Sequence, residues 1–141
     1  MNFHNDYVRA VQAEISSPVY EIGKYTDDDI FMATIFVPRG EEIQFTNLKS
    51  SRWHDYAMDI FLPDGGKVAG MKALMEKENV LQSDVIAFGD GDNDIDMLKY
   101  AGLGVAMGNA PENVKREADI VTDDAAHDGI FNVVKKLFSA S

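Results

Sequence analysis

The chain has 141 residues, 45% of them hydrophobic, and a formal net charge of −11. Its size suits one ordinary domain or two small ones with enough apolar residues for a core, and its negative charge opposes nucleic acid as a general partner. Cysteine is absent, which excludes disulfides and thiolate chemistry and fits a cytoplasmic protein. No apolar run reaches the roughly 18 residues of a membrane helix, and the first residues lack the apolar core of a secretory signal. An anionic small substrate would therefore need a local positive site, from a metal ion or from particular lysines.

In chain order, Asn5 or Asp6 can cap a first helix with Val8, Val11 and Ile15 on one face, stopped by Ser16-Ser17-Pro18. Phe31–Val37 reads as a strand ended by Pro38-Arg39-Gly40. Glu41–Trp53 is ambiguous between strand and turn, and Tyr56–Leu62 is a further strand. Trp53, His54 and Tyr56 read either as packing and turn residues or as groups facing a substrate. Pro63-Asp64-Gly65-Gly66 then divides an α+β segment, residues 1–62, from a second segment, 63–141.

The rhythm after that boundary is different. A helix over about Lys67–Asn79 turns Val68, Met71, Leu74 and Met75 inward. Apolar strands Val85–Phe88, Leu103–Met107 and Asp119–Thr122 alternate with helices over about Asn93–Ala101 and after Asn109-Ala110-Pro111. A last helix, capped by Asp128, carries Ile130, Val133, Val134 and Leu137 at i, i+3, i+4 and i+7. Apolar strands between amphipathic helices predict an α/β fold, with a parallel sheet covered on both faces.

Gly89-Asp90-Gly91-Asp92-Asn93-Asp94-Ile95-Asp96 leaves the C-terminal end of an apolar strand and enters a helix. Ligands of open α/β sheets bind at that end. Carboxylates this dense repel one another unless a cation sits among them, and Mg²⁺ prefers oxygen ligands. Asp92, Asn93 or Asp94 could instead serve only as helix caps. Asp90, set back at the strand end behind a glycine, is not explained by capping. An EF-hand fails, because Ile95 and Ala101 stand where glycine and glutamate are required. Gly102-Leu103-Gly104 precedes its strand and lacks a third glycine, so it is not a dinucleotide fingerprint. Gly66-Lys67 is followed by Val68 and preceded by Phe61 at the first glycine position, so it is not a P-loop.

Lys67 falls in the first turn of its helix, where a cation is disfavoured by up to about 1 kcal/mol. An anion bound there would turn that repulsion into attraction; a lysine solvated on the surface is the plain alternative. Metal ligands in one element and an anion clamp in another are what phosphoryl transfer needs.

Gly89–Thr122 resembles the fourth motif and C-terminal tail of Cof-type, or IIB, haloacid dehalogenase-like hydrolases, and Lys67 resembles the lysine of their third motif. The first third is more loosely similar to the end of the type-2B cap. The resemblance implies a Rossmann-like core, here its C-terminal half, preceded by a partial cap, and a phosphatase acting on a small phosphorylated metabolite with Mg²⁺. It implies Asp90 as metal ligand, Asp94 as an acid in the metal's outer shell, Asn93 as a residue that contacts the phosphate or orders the loop, and Lys67 as the cation that holds the phosphate.

The family's Asp-x-Asp-Gly-Thr motif, which carries the nucleophile, has no counterpart. Asp27-Asp28-Asp29 follows no apolar strand and precedes Ile30 where glycine belongs. The expectation is a natural or expressed fragment with negligible turnover alone. By resemblance the missing strand would pair beside Val85–Phe88, so an open apolar edge is expected to make the chain oligomerise or bind its complementary N-terminal half. The rival class is a non-catalytic module that binds phosphate, metal or a protein.

Overall fold

The computed structural model describes residues 6–16, 29–41 and 43–139. Asn5, Ser17, Pro18, Asp27 and Asp28, which the sequence reading used, lie outside these residues. The chain divides into two compact units, Met1–Gly65 and Gly66–Ser141.

In the first unit, helix α1 (Asp6–Glu14) buries Val8 and Val11. Ile15, expected on the same face, lies past the helix end and is exposed. Strands β1 (Met32–Ile35), β2 (Lys49–His54) and β3 (Ala57–Phe61) form an antiparallel sheet in the order β1-β3-β2. The ambiguous stretch before Trp53 thus resolves into loop followed by β2. Asp55 and Tyr56 join β2 to β3, and Arg52 steadies that turn by donating to the carbonyls of Val37, His54 and Asp55. Middle strand β3 supplies the buried Ala57 and Met58.

The second unit is α/β. Helix α2 (Lys67–Glu78) ends on Asn79 in the left-handed region, whose N–H returns to the carbonyls of Glu76 and Met75. Strands β4 (Ile86–Gly89), β5 (Leu103–Ala106) and β6 (Ile120–Val121) are parallel, in that order. Between them run α3 (Ile95–Tyr100) and α4 (Glu112–Arg116), and α5 (Gly129–Phe138) follows β6. Ala87 of β4, Ala106 of β5, Leu98 of α3, and Ala110 and Val114 at α4 form one buried cluster, with Met71 of α2 packed on it. The small side chains on the sheet let α3 approach closely, and Leu98 fills the gap.

Several expectations need correction. Helix α3 starts at Ile95, after a 3-10 turn over Asp92–Asp94, because Asp94 bonds back to the loop rather than continuing an α-helix. Asp128 does not cap α5 with its side chain; it adopts the left-handed region, and Asp124 instead accepts from the His127 N–H. The strand Val85–Phe88 is not buried throughout: Ala87 and Gly89 are covered, while Ile86 and Phe88, on the other face, are half-buried. Leu74 of α2 and Ile130 and Leu137 of α5 are exposed, and of the predicted inward α5 set only Val133 is buried. The helical period is present, but among the described residues nothing covers those stripes. Among the described residues, strand β4 pairs with β5 alone and forms an edge of its sheet. Among the described residues no helix is long and apolar enough to cross a membrane.

Candidate functional site

Gly66, just before α2, has φ +89° and ψ −177°, a conformation that costs a residue with a side chain heavily. That turn sets Lys67 as the first residue of the helix. Across the unit, β4 ends at Gly89 and the chain folds over Asp94. A Cβ at Gly89 would lie 2.5 Å from the Asp94 Cβ, so glycine is what permits the approach.

Asp94 is 5% exposed, the one buried charged side chain among the described residues. Its Oδ1 accepts from the Lys67 ammonium. Its Oδ2 accepts from the backbone N–H groups of Asp90 at 2.9 Å and Gly91 at 3.1 Å. Burial pushes the Asp94 carboxyl up, but the Lys67 ammonium and the two N–H donors outweigh it and leave the group below its ordinary 3.8. Asp94 therefore stays ionised and ties three elements together: the start of α2, the end of β4 and the turn into α3.

Asp90 is exposed, and its Oδ2 accepts from the Asn109 side-chain amide at 3.0 Å. Asp92 accepts from Asn113 at 2.6 Å. Lys67, Asp90, Asp94 and Asn109 line one open depression of about 370 Å³, together with Phe88 and Met107. Lys67, Asp90 and Asp94, each singled out from the sequence, are thus brought together. Asn93 stands apart from that lining, with its Oδ1 folded over Gly91. The sequence alone does not single out Asn109 or Asn113 as site residues. Asn109-Ala110-Pro111 reads as a helix start, and the one further signal is a polar amide following the C-terminal end of a strand.

The donors suit a hard cation in part. Mg²⁺ is commonly bound by one or two carboxylates plus water and substrate phosphate. Asp90 presents an exposed carboxylate with one oxygen on a neutral amide, whereas both oxygens of Asp94 are engaged by Lys67 and backbone N–H groups. Among the described residues no three His, Cys, Asp or Glu side chains gather as a self-sufficient metal cluster. Among the described residues the depression presents one exposed carboxylate, Asp90, and a second acid, Asp94, that holds the loop.

In the first unit, Trp53, His54 and Tyr56 are engaged locally. Trp53 Nε1 donates to Asp59 at 3.0 Å, His54 Nε2 lies 2.8 Å from Glu14, and Tyr56 stacks on Tyr7 at 5.3 Å.

A parallel sheet with a lysine at one helix start and a Gly-Asp-x-x-x-Asp turn at a strand end defines the hydrolase fold suggested by the sequence. The haloacid dehalogenase-like hydrolase family matches residues 10–134, and the chain belongs to that family. A protein encoded in the pdhA 5′ region of Geobacillus stearothermophilus is 49% identical over 86 residues, covering 61% of this chain and 90% of that one. The 5-amino-6-(5-phospho-D-ribitylamino)uracil phosphatase YcsE of Bacillus subtilis is 36% identical over 110 residues, 77% of this chain and 42% of YcsE. Among solved structures, the subclass IIB sugar phosphatase BT4131 superimposes with a TM-score of 0.81 at 28% identity, covering 95% of this chain and 55% of that one. The chain thus spans about half the length of these two phosphatases.

Proposed function

We propose that this chain carries the lysine-and-acid half of a Mg²⁺-dependent phosphate monoesterase site, acting on a sugar phosphate or similar small metabolite. The reading rests on one observation: Lys67, Asp90 and Asp94 line the same depression at the C-terminal end of β4. YcsE and BT4131 are named as phosphatases, which supports the reaction class.

In this reading Lys67 binds the phosphoryl oxygens. Asp94 holds the ammonium in place by one hydrogen bond and leaves its remaining N–H donors for the anion. Asp90 takes the cation, and Asp94 orders the backbone that carries Asp90. A bound Mg²⁺ would neutralise charge on the phosphate oxygens. Asn93 contacts the phosphate only if the 3-10 turn rearranges around a ligand. Residues 1–62 serve as part of a cap and residues 63–141 as half of the core.

The attacking carboxylate comes from a complementary N-terminal half, whose strand adds to the open edge of β4. The exposed apolar side chains Leu74, Ile130 and Leu137 on α2 and α5 are suited to burial by that half. The test is to supply the N-terminal half of a relative, fused or co-expressed, and screen phosphate monoesters with Mg²⁺. Turnover that appears only with both halves, and disappears in Asp90→Ala, supports the proposal. Robust turnover by the chain alone that survives Asp90→Ala defeats it.

A second reading is a non-catalytic module that binds phosphate or metal. It is favoured by the lining of the depression, where Asp90 and Asp94 are the only acids among the described residues and Asp94 is fully engaged. Inactivity of the two-half assembly, with phosphate and Mg²⁺ binding retained, would select it.

A further inference from the structure

We infer that Asn109 is a positioning residue for the Asp90 carboxylate; the inference rests on the reading above, that Asp90 faces a cation. Asn109 donates from its side-chain amide to Asp90 Oδ2 at 3.0 Å. Its backbone is well anchored for that task. The parallel pairing of β4 with β5 continues one step past the strands, where the Met107 N–H donates to the Gly89 carbonyl at 2.9 Å. The Ala110 N–H closes the turn on the Met107 carbonyl at 2.9 Å, and Ala110 is buried.

Helix capping does not account for the Asn109 side chain. The cap of α4 is Pro111, with no side-chain capping bond. The amide reaches across to the acidic turn instead.

The choice of a neutral donor matters. Asp94 is held by a lysine, which cancels its charge; Asp90 is held by an amide, which orients one oxygen and leaves the negative charge intact. A carboxylate held in this way keeps its other oxygen and its full charge for a metal, and hydrogen bonds to a metal-binding side chain typically tune metal affinity. Asn113, one helical turn further on, ties Asp92 to α4 at 2.6 Å and serves as the internal control.

The test is a Mn²⁺ titration of the 141-residue chain, followed by the EPR signal of free Mn²⁺. Asn109→Ala should weaken binding about tenfold or more, with circular dichroism unchanged, while Asn113→Ala should change it by less than about twofold. Equal losses in both variants would reduce Asn109 to a structural strut and overturn the inference. Unchanged affinity in folded Asn109→Ala, with binding lost in Asp90→Ala, would overturn this inference alone. No Mn²⁺ binding by the parental chain, or binding indifferent to Asp90→Ala, would overturn this inference, while the functional reading would still stand or fall on the turnover of the two-half assembly. Should Asn109→Ala not fold, the Asn109 side-chain amide signals of the parental chain decide: they should move on adding Mg²⁺, and signals that stay fixed at saturation overturn the proposal.

Discussion

The two units each contain a three-stranded sheet, yet they use polar side chains in opposite ways. In the antiparallel sheet of the first unit, polar groups are consumed by neighbouring strands. Asp59 accepts from both Thr34 at 2.7 Å and Trp53 at 3.0 Å, and Arg52 is spread over backbone carbonyls. In the parallel sheet of the second unit, all strands end on the same side, so the loops that follow β4 and β5 meet. Asp90 and Asn109 come together there because their strands run in register, Gly89 beside Ala106. Polar groups in an antiparallel sheet tend to finish as cross-strand struts, whereas those at the carboxyl ends of a parallel sheet are left facing solvent and ligand.

Four measurements can break or sharpen that contrast. The largest effect is expected for Lys67→Ala in the assembled two-half enzyme: a loss of about 10²–10³-fold in kcat, as for removal of one oxyanion donor. A comparable loss from Trp53→Phe in the first unit would erase the distinction between the units. Next, Asp94→Ala should destabilise the second unit by about 2–3 kcal/mol in urea unfolding, since it strands two N–H groups and a lysine. A change below about 0.5 kcal/mol would mean that Asp94 is not the tie between α2 and the β4 loop.

The pH dependence follows from the direction of the Asp94 shift. Its folded value is depressed below 3.8, so the folded state binds its proton less readily than the unfolded chain does. The stability it contributes is fully present above about pH 5 and is lost as pH falls through 3.8 toward the folded value. Asp94→Asn should therefore flatten the acid limb of the unfolding midpoint against pH; an unchanged limb would contradict the assignment. The smallest effect belongs to Asp59→Ala in the first unit: about 1 kcal/mol of stability, read by urea unfolding, with no change in Mn²⁺ affinity. Altered metal binding in that variant would show that the cross-strand struts of the first unit also serve the site.

Local signals make much of this legible in the sequence. The alternation of apolar strands and helices after Pro63, the glycines before Lys67 and the acid-rich turn after Phe88 depend on periods and dihedral preferences of a few residues. Elements whose edges depend on pairing were less clear. Strand β2 was hidden because Lys49-Ser50-Ser51 is an edge segment with no apolar alternation, and only its hydrogen bonds to β3 define it. The burial of Leu74, Ile130 and Leu137 is not legible in the sequence, because a helical period states which side chains share a face, not whether another element covers it.

The sequence by itself determined the α/β class of the second unit, the position of Lys67 at a helix start and of Asp90 at a strand end, and the family these residues point to. The class and the two positions follow from residue spacing and backbone preference over short range, and the family from the resemblance of the motifs these residues form. Only the tertiary structure decided that Asp94 partners Lys67, 27 residues away, and that Asn109 and Asn113 reach the acidic turn from 19 and 21 residues downstream. Those contacts are set by the register of β4 on β5 and by the packing of α4, and no local pattern encodes a hydrogen bond between side chains that only a parallel sheet brings to the same end.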